Sequence, residues 1–413
     1  MAPSPSKRSR PDPDKGSAAL PLPLDASYEI LLRLPAKDLC RLRAVSRAWR
    51  SLLSDPQFIA AHGARHPGPL IVSGHPTSTG RRSVDDVRFN IMDLSGRILK
   101  RLHVAGDGTI DNATDDVKIS SQAGLVCILG DMGKRCRVLD PATGAVTSLP
   151  EGLAEEHAAN RPDMGQYSAT VVCGKVASTG EYKVLRVLDI RLFSCSGYNP
   201  KPLCEVLTLG GSSSSGQWRG KKASPDPVSV YDETSRAVVD GTVYFFANEL
   251  GPLHIAGPKC IASFDLGTEE WRRTLKGPQI VGFVSKNARH RPRRDDVDYN
   301  YFSLAALNGC LAVVHCVHSS FMDLWFLMDF EQGLWVKRHS IQMKPSVGHD
   351  ECSLRPLCVL NDGRVVVAFI GYSGSMRIYN PKGGTYTNVA EISPHVGFDL
   401  YTGNLLSLAN GAV

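Results

Sequence analysis

Four stretches of this 413-residue chain hold residue types that do chemistry elsewhere. His315-Cys316-Val317-His318 offers imidazole and thiolate donors at close spacing. A zinc site needs such donors to converge on one point. This stretch reads as a strand, and alternate strand residues face opposite ways, so His315 points away from Cys316 and His318. Gly371-Tyr372-Ser373-Gly374 falls short of the G-x-S-x-G nucleophile elbow, and no helix follows it. Gly130-Asp131-Met132-Gly133-Lys134 lacks the spacing and the final Ser/Thr of a phosphate-cradling loop and reads as a hairpin turn. Arg289-His290-Arg291-Pro292-Arg293-Arg294 is a dense cationic run before Asp295-Asp296. It reads first as a solvated insertion, and it could also hold an acidic peptide, a phosphate or an import receptor. No pair of carboxylates stands out for acid–base work. The sequence therefore assigns no catalytic residue, no cofactor and no metal.

The elements around these stretches come from composition and periodicity. Hydrophobic residues make up 42% and charged residues 21%, as in a globular protein. The longest apolar runs, such as Val365–Ile370, are far too short for a bilayer, and no signal-peptide core opens the chain. Neither membrane insertion nor secretion is expected, so the Asn112-Ala113-Thr114 sequon implies no glycan. The 11 cysteines are scattered, with no C-x-x-C pair. That predicts reduced thiols in the nucleus or cytoplasm, not a disulfide framework. A formal charge of +6 is small for this length and does not call for nucleic acid.

From residue 68 a repeat dominates. Gly68, Gly124, Gly180, Gly241, Gly309 and Gly363 each lead into a short apolar run, at intervals of 54 to 68 residues. A second landmark follows each, a polar residue and then a glycine: Asp93 with Gly96, Asp140 with Gly144, Thr208 with Gly210, Asp265 with Gly267, Asp329 with Gly333, Asn380 with Gly383. These are hairpin-turn residues where positive φ is required. Trp218, Trp271 and Trp335 follow three of those turns and fit as packing anchors of outer strands. A repeat of this length holds one four-stranded sheet and a loop, and such sheets stack radially into a propeller. Six copies predict six blades, with a seventh left open. The loops at 151–166, 194–202, 211–225, 285–299 and 341–353 are the expected recognition surface.

The N-terminal part differs. Residues 1–19 are rich in Pro, Ser and charge, which predicts a disordered tail, and Lys7-Arg8-Ser9-Arg10 within it suits either a nuclear signal or a solvated tail. Residues 20–62 predict a small all-α domain of three helices. Asp25 is the expected cap of the first, Pro35 ends it, and Leu39 and Leu42 mark the second. Val45, Ala48, Trp49, Leu52 and Leu53 form one stripe of the third, which Asp55-Pro56 ends. A unit this small leaves much of its surface wet, so its apolar faces need either a partner or the rest of this chain.

Residues 22–58, LPLDASYEILLRLPAKDLCRLRAVSRAWRSLLSDPQF, resemble the plant F-box pattern. Ser46-Arg47 departs mildly from the Cys-Lys usual there. The remainder, 66–413, resembles the F-box-associated, kelch-like propeller, through Tyr182-Lys183-Val184-Leu185, the 261–265 run with Glu270-Trp271-Arg272, and Leu324-Trp325 with Trp335-Val336-Lys337. The resemblance implies an α+β multidomain chain, a small all-α F-box before an all-β propeller. It also implies docking on a Skp-type adaptor, which bridges to a cullin, with the propeller holding a protein substrate for ubiquitination. Catalysis would then be proximity to a thioester made elsewhere. Leu22, Pro23, Ile30, Leu31, Leu34, Pro35, Leu39, Leu42, Val45 and Trp49 are the adaptor-binding residues it implies. A scaffold outside any ligase and a propeller enzyme are the alternative readings.

Overall fold

A computed structural model describes residues 23–66, 68–76, 86–106, 118–130, 133–158, 167–189, 202–210, 216–228, 233–247, 260–280, 300–317, 321–343, 353–370, 374–392, 397–403 and 405–406. The expected tail over 1–19, Leu22, the cationic run at 289–294 and His318 lie outside them. The chain divides into two compact units, 1–67 and 68–413.

The first unit has four helices: α1 (Leu24–Leu31), α2 (Ala36–Leu42), α3 (Arg47–Leu53) and α4 (Pro56–Arg65). Pro23, not Asp25, is the N-cap of α1, and Asp25 lies in the first turn, where its charge suits the helix dipole. Pro35 caps α2 with extended backbone. The Ser46 side chain caps α3 by accepting from the Trp49 amide. Asp55-Pro56 does more than end α3. Asp55 accepts from the amides of Gln57 and Phe58, and Pro56 occupies the first turn of α4, the helix that reading the pair only as a stop leaves out.

The described strands of the second unit all pair antiparallel. Blade 1 begins with β1 (Leu70–Pro76), β2 (Val87–Met92) and β3 (Ile98–Val104). Blade 2 is β4 (Lys118–Gln122), β5 (Leu125–Gly130), β6 (Arg135–Leu139) and β7 (Val146–Ser148). After the short α5 (Glu155–Ala158), blade 3 is β8 (Ser168–Lys175), β9 (Tyr182–Asp189), β10 (Leu203–Leu209) and β11 (Arg219–Lys221). Blade 4 is β12 (Arg236–Val239), β13 (Thr242–Phe246), β14 (Cys260–Asp265), β15 (Glu270–Trp271) and β16 (Leu275–Lys276). Blade 5 is β17 (Asn300–Leu307), β18 (Cys310–Val317), β19 (Phe321–Asp329) and β20 (Leu334–Gln342). Blade 6 is β21 (Ser353–Val359), β22 (Val365–Ile370), β23 (Gly374–Asn380) and β24 (Thr385–Ile392). The last strand, β25 (Gly397–Tyr401), returns to β1 and completes blade 1 in the order β25-β1-β2-β3. The result is a six-bladed propeller whose ring is closed by the two ends of the unit.

First strands meet across blades, β25 against β4 and β21, and β17 against β12 and β21, so they form the inner ring. The core lies between blades. Val172, Leu185 and Val187 of blade 3 pack on Val243, Phe245 and Phe264 of blade 4, and four other blade pairs repeat the arrangement. Burying both faces of each sheet in this way supplies the main stabilising term.

The glycine repeat is now explained. Gly124, Gly180, Gly241, Gly309 and Gly363 have φ of +73° to +85° and turn the first strand of a blade into the second. Ala123, Asp240 and Asn308 precede three of them, also at positive φ, as tight two-residue hairpins require. Gly68 leads into β1 without such a turn, because its preceding strand is β25, at the other end of the chain. The second landmark holds at four sites. In blade 4 the positive φ falls on Glu269 instead of Gly267, and in blade 6 on Gly384 instead of Gly383. The expectation of reduced thiols meets one exception. Cys127 and Cys173 are bonded across blades 2 and 3, and seven other described cysteines carry no disulfide.

Candidate functional site

Each of α1 to α4 contributes a buried apolar side chain: Leu31, Leu39, Leu53 and Phe58. Tyr28 sets its ring edge-on to Phe58. Polar contacts then fix the helices. Arg43 donates through Nε and Nη2 to the Leu53 carbonyl (3.2 and 2.6 Å), and Arg50 Nε donates to the Arg43 carbonyl. His62 and His66 donate from Nε2 to the carbonyls of Leu34 and Leu32, both at 2.9 Å, tying α4 to the end of α1. Burial lowers the His62 pKa, against the opposing pull of its hydrogen bond to Leu34.

This geometry sorts the expected docking residues. Leu31 (2% exposed) and Leu39 (0%) are interior. Periodicity places both on an apolar face without saying what covers that face. Leu34, Leu42 and Trp49 are half-buried, and Pro23 and Pro35 are exposed. Ile30 (49%) and Val45 (66%) are apolar and open to solvent. Arg41, Arg47 and Arg50, exposed on α2 and α3, flank Val45 in sequence.

The ring has two unlike ends. Tight turns such as 123–124 and 308–309, and the Asp-led turns such as 93–96, share one end, because both follow odd-numbered strands of a blade. In the Asp-led turns a carboxylate accepts amides two or three residues on, as Asp265 does from Gly267 and Thr268. Second-to-third and blade-to-blade connections lie at the other end, and they include the longest ones, such as those between β9 and β10 and between β20 and β21. The described strand ends that flank 151–166, 194–202, 285–299 and 341–353 lie at this second end. The expected loop at 211–225 is divided. Its first part joins β10 to β11 at the tight-turn end, and its last part leaves β11 at the other. Residues 159–166, 190–201, 211–215, 281–299 and 344–352 themselves lie outside the described residues.

The start of one such segment, 150–158, is fastened down. Arg186 of β9 and Glu205 of β10 are directly opposed and buried, at 1% and 0% exposure, and form an ion pair. Glu205 also accepts from the Ala154 amide (2.7 Å) and from His157 Nδ1 (3.0 Å). Arg186 Nη2 donates to the Gly152 carbonyl (2.6 Å) and stacks on Trp218, whose Nε1 donates to the Pro150 carbonyl. No short motif marks this cluster in the sequence.

Trp218, Trp271 and Trp335 are interblade rivets. Each indole Nε1 donates to a carbonyl after or in the outer strand of the preceding blade: Pro150, Lys222 and Lys276. Tyr386 of β24 repeats the device by donating to the Gln342 carbonyl, and a search for tryptophan overlooks it. Glu269 joins blades 3 and 4. It receives Lys183, Arg219 and Lys221, and although burial pushes its carboxyl up, those donors hold it down at about 2. His315 is buried and stacked on Phe302, facing Asp323, while Cys316 pairs with Met322 on the opposite side of the strand. Among the described residues no group of three or more His, Cys, Asp or Glu could hold a metal, and no helix is long and apolar enough to cross a membrane.

Residues 103–394 match the family model described as the F-box associated beta propeller domain. The chain belongs to this family. The F-box domain model matches residues 20–60, the helical unit. An F-box/kelch-repeat protein of Arabidopsis thaliana is 24% identical over 88% of this chain and 89% of its own length. F-box protein CPR1 of the same plant is 24% identical over 84% and 78%. With these relatives, the chain is a plant F-box protein with a propeller domain, of the substrate-receptor kind. Among solved structures, AofleA of Arthrobotrys oligospora aligns over 81% of this chain and 89% of its own at 12% identity and a TM-score of 0.39, too loose a likeness to carry weight.

Proposed function

We propose that this F-box protein is the substrate-recognition subunit of a Skp–cullin–F-box ubiquitin ligase. The F-box docks on a Skp-type adaptor, which reaches the cullin, and the propeller holds a target protein. The chain contributes position and no nucleophile, raising the local concentration of a target lysine near a charged conjugating enzyme. The observation that carries the reading is the F-box itself, a helical unit that leaves Ile30 and Val45 uncovered. Apolar side chains in the open on so small a unit favour burial against another chain. The neighbouring Arg41, Arg47 and Arg50 suit an acidic rim on that partner.

Co-purification of the full chain with a Skp-type adaptor tests the docking. Val45→Asp places a charge in the contact and leaves the buried Leu31, Leu39, Leu53 and Phe58 intact. Trp49→Ala removes an aromatic of hot-spot type, worth about 2 kcal/mol or more of binding. Both variants should lose the adaptor while the propeller melts as in wild type. Retention of adaptor by both sinks the docking claim. Target ubiquitination by the assembled complex, absent without this chain, tests the ligase role.

A further inference from the structure

Six large apolar side chains are exposed among the described residues, and three share one hairpin of blade 5: Met328 (48%), Leu334 (49%) and Val336 (41%). β20 is the outermost strand of its sheet, so among the described strands one backbone edge has no neighbour. In an antiparallel ladder every second residue turns its N–H and C=O to that edge. The other blades blunt their edges. β7 and β11 have three residues each, and β15 and β16 two each. β3 exposes Arg101 and His103, and β24 exposes Thr385, Thr387 and Asn388. β20 has nine residues and shows Leu334 and Val336 at i and i+2, on one face.

Two register shifts in the β19–β20 ladder leave Met328 and Arg338 without cross-strand partners. These two residues meet. Arg338 Nη2 lies 3.1 Å from Met328 Sδ, and the guanidinium sits 5.4 Å above the Phe326 ring. Phe326 pairs with Val336 and shares its face. The adjacent Lys337 is held by Asp323 at 3.2 Å, whereas Arg338 is exposed and enters none of the ion pairs among the described residues. The strip is therefore apolar, ends in a cation, and borders an open backbone edge.

We propose that the outer edge of blade 5 accepts an extended segment of a target protein by strand addition, apolar at alternate positions and carrying a carboxylate that reaches Arg338. Main-chain hydrogen bonds supply affinity, while the apolar strip and the cation supply selectivity. The regular stretch between the shifts, 335–337, limits the added strand to about three paired residues. The inference rests on the receptor reading and names the chemistry of its target contact.

The full chain bound to its adaptor is titrated into fluorescein-labelled ten-residue peptides of alternating Val and Thr, with one Glu near either end. Anisotropy should show saturable binding of at least one peptide. Glu→Lys in that peptide, N-methylation of its alternate amides, Val336→Asp and Arg338→Glu should each weaken binding by about tenfold or more. Both substitutions are at exposed positions, so adaptor retention and the melting curve should not move. No binding by wild type, or binding unchanged by N-methylation or by both substitutions, overturns the proposal. So does a wild-type dimer in light scattering that Val336→Asp dissolves, which would make a second copy the occupant. Loss of adaptor docking with peptide binding intact refutes the receptor reading alone.

Discussion

Glu205→Gln is the sharpest test of how this propeller is held. Glu205 and Arg186 face each other on adjacent strands, at 0% and 1% exposure, with Arg186 Nε 2.8 Å from Glu205 Oε2. The amide keeps the shape of the side chain and one acceptor. It leaves a buried guanidinium charge with no carboxylate opposite. Breaking one side of a buried pair costs about 3–5 kcal/mol, and the surviving amide acceptor puts the expectation near the low end. Urea unfolding of the full chain, followed by tryptophan fluorescence, measures it. Limited proteolysis should show faster cleavage within 150–158, because the Ala154 amide and His157 lose a charged acceptor. The Arg186→Met, Glu205→Leu double variant should be less destabilised than the two single losses summed, because it removes both charges together. The pH dependence has a definite sign. Burial pushes the Glu205 carboxyl up, but His157, the Arg186 charge and the Ala154 amide outweigh it, and the pKa falls below 4.5. A depressed carboxylate stabilises fully above its unfolded value and loses that stability as pH falls through its folded value. The advantage of wild type over Glu205→Gln should therefore be complete above pH 4.5 and shrink below it. Equal urea midpoints, or a gap that persists far below pH 4.5, would refute the reasoning.

Two further outcomes follow from the ring. Tyr386→Phe removes the hydroxyl that donates to the Gln342 carbonyl at 3.2 Å and should cost about 1 kcal/mol, as should Trp335→Phe for the Lys276 carbonyl. The two losses should add in thermal melts, since they fasten different blade pairs. Truncation before Gly397 removes β25 and with it Asp399, which pairs with Arg355 of blade 6 and accepts from the Ser121 amide of blade 2. The truncated chain should lose its cooperative transition, and a wild-type melting curve would show that the ring does not need closing.

Much of the architecture is legible in the residues. Positive-φ hairpins tolerate few side chains, so glycine must recur once per blade, and Gly124, Gly180, Gly241, Gly309 and Gly363 announce five blades directly. The tryptophans were legible as anchors for a similar reason, since few residues fill an interblade gap and also donate one hydrogen bond. Tyr386 does the same work in blade 6 and escaped notice because residue type was the signal and the geometry was not.

The exposure of the expected docking residues was only half legible. A helical stripe shows that a face is apolar, and Leu39 and Val45 look alike on that criterion. Only packing covers one fully and leaves the other 66% exposed.

What the sequence alone determined is local: where hairpins turn, that helices open the chain, and that an F-box pattern precedes repeated sheets. These follow from φ preferences and side-chain period, which act over a few residues. Contacts between residues far apart in the chain were settled only by tertiary structure. β25 finds β1 across the whole unit, Arg186 finds Glu205 and the 150–158 backbone, and two ladder irregularities push Met328 and Arg338 together. Such meetings depend on how stacked sheets share their surfaces, and no short-range preference of the chain encodes that.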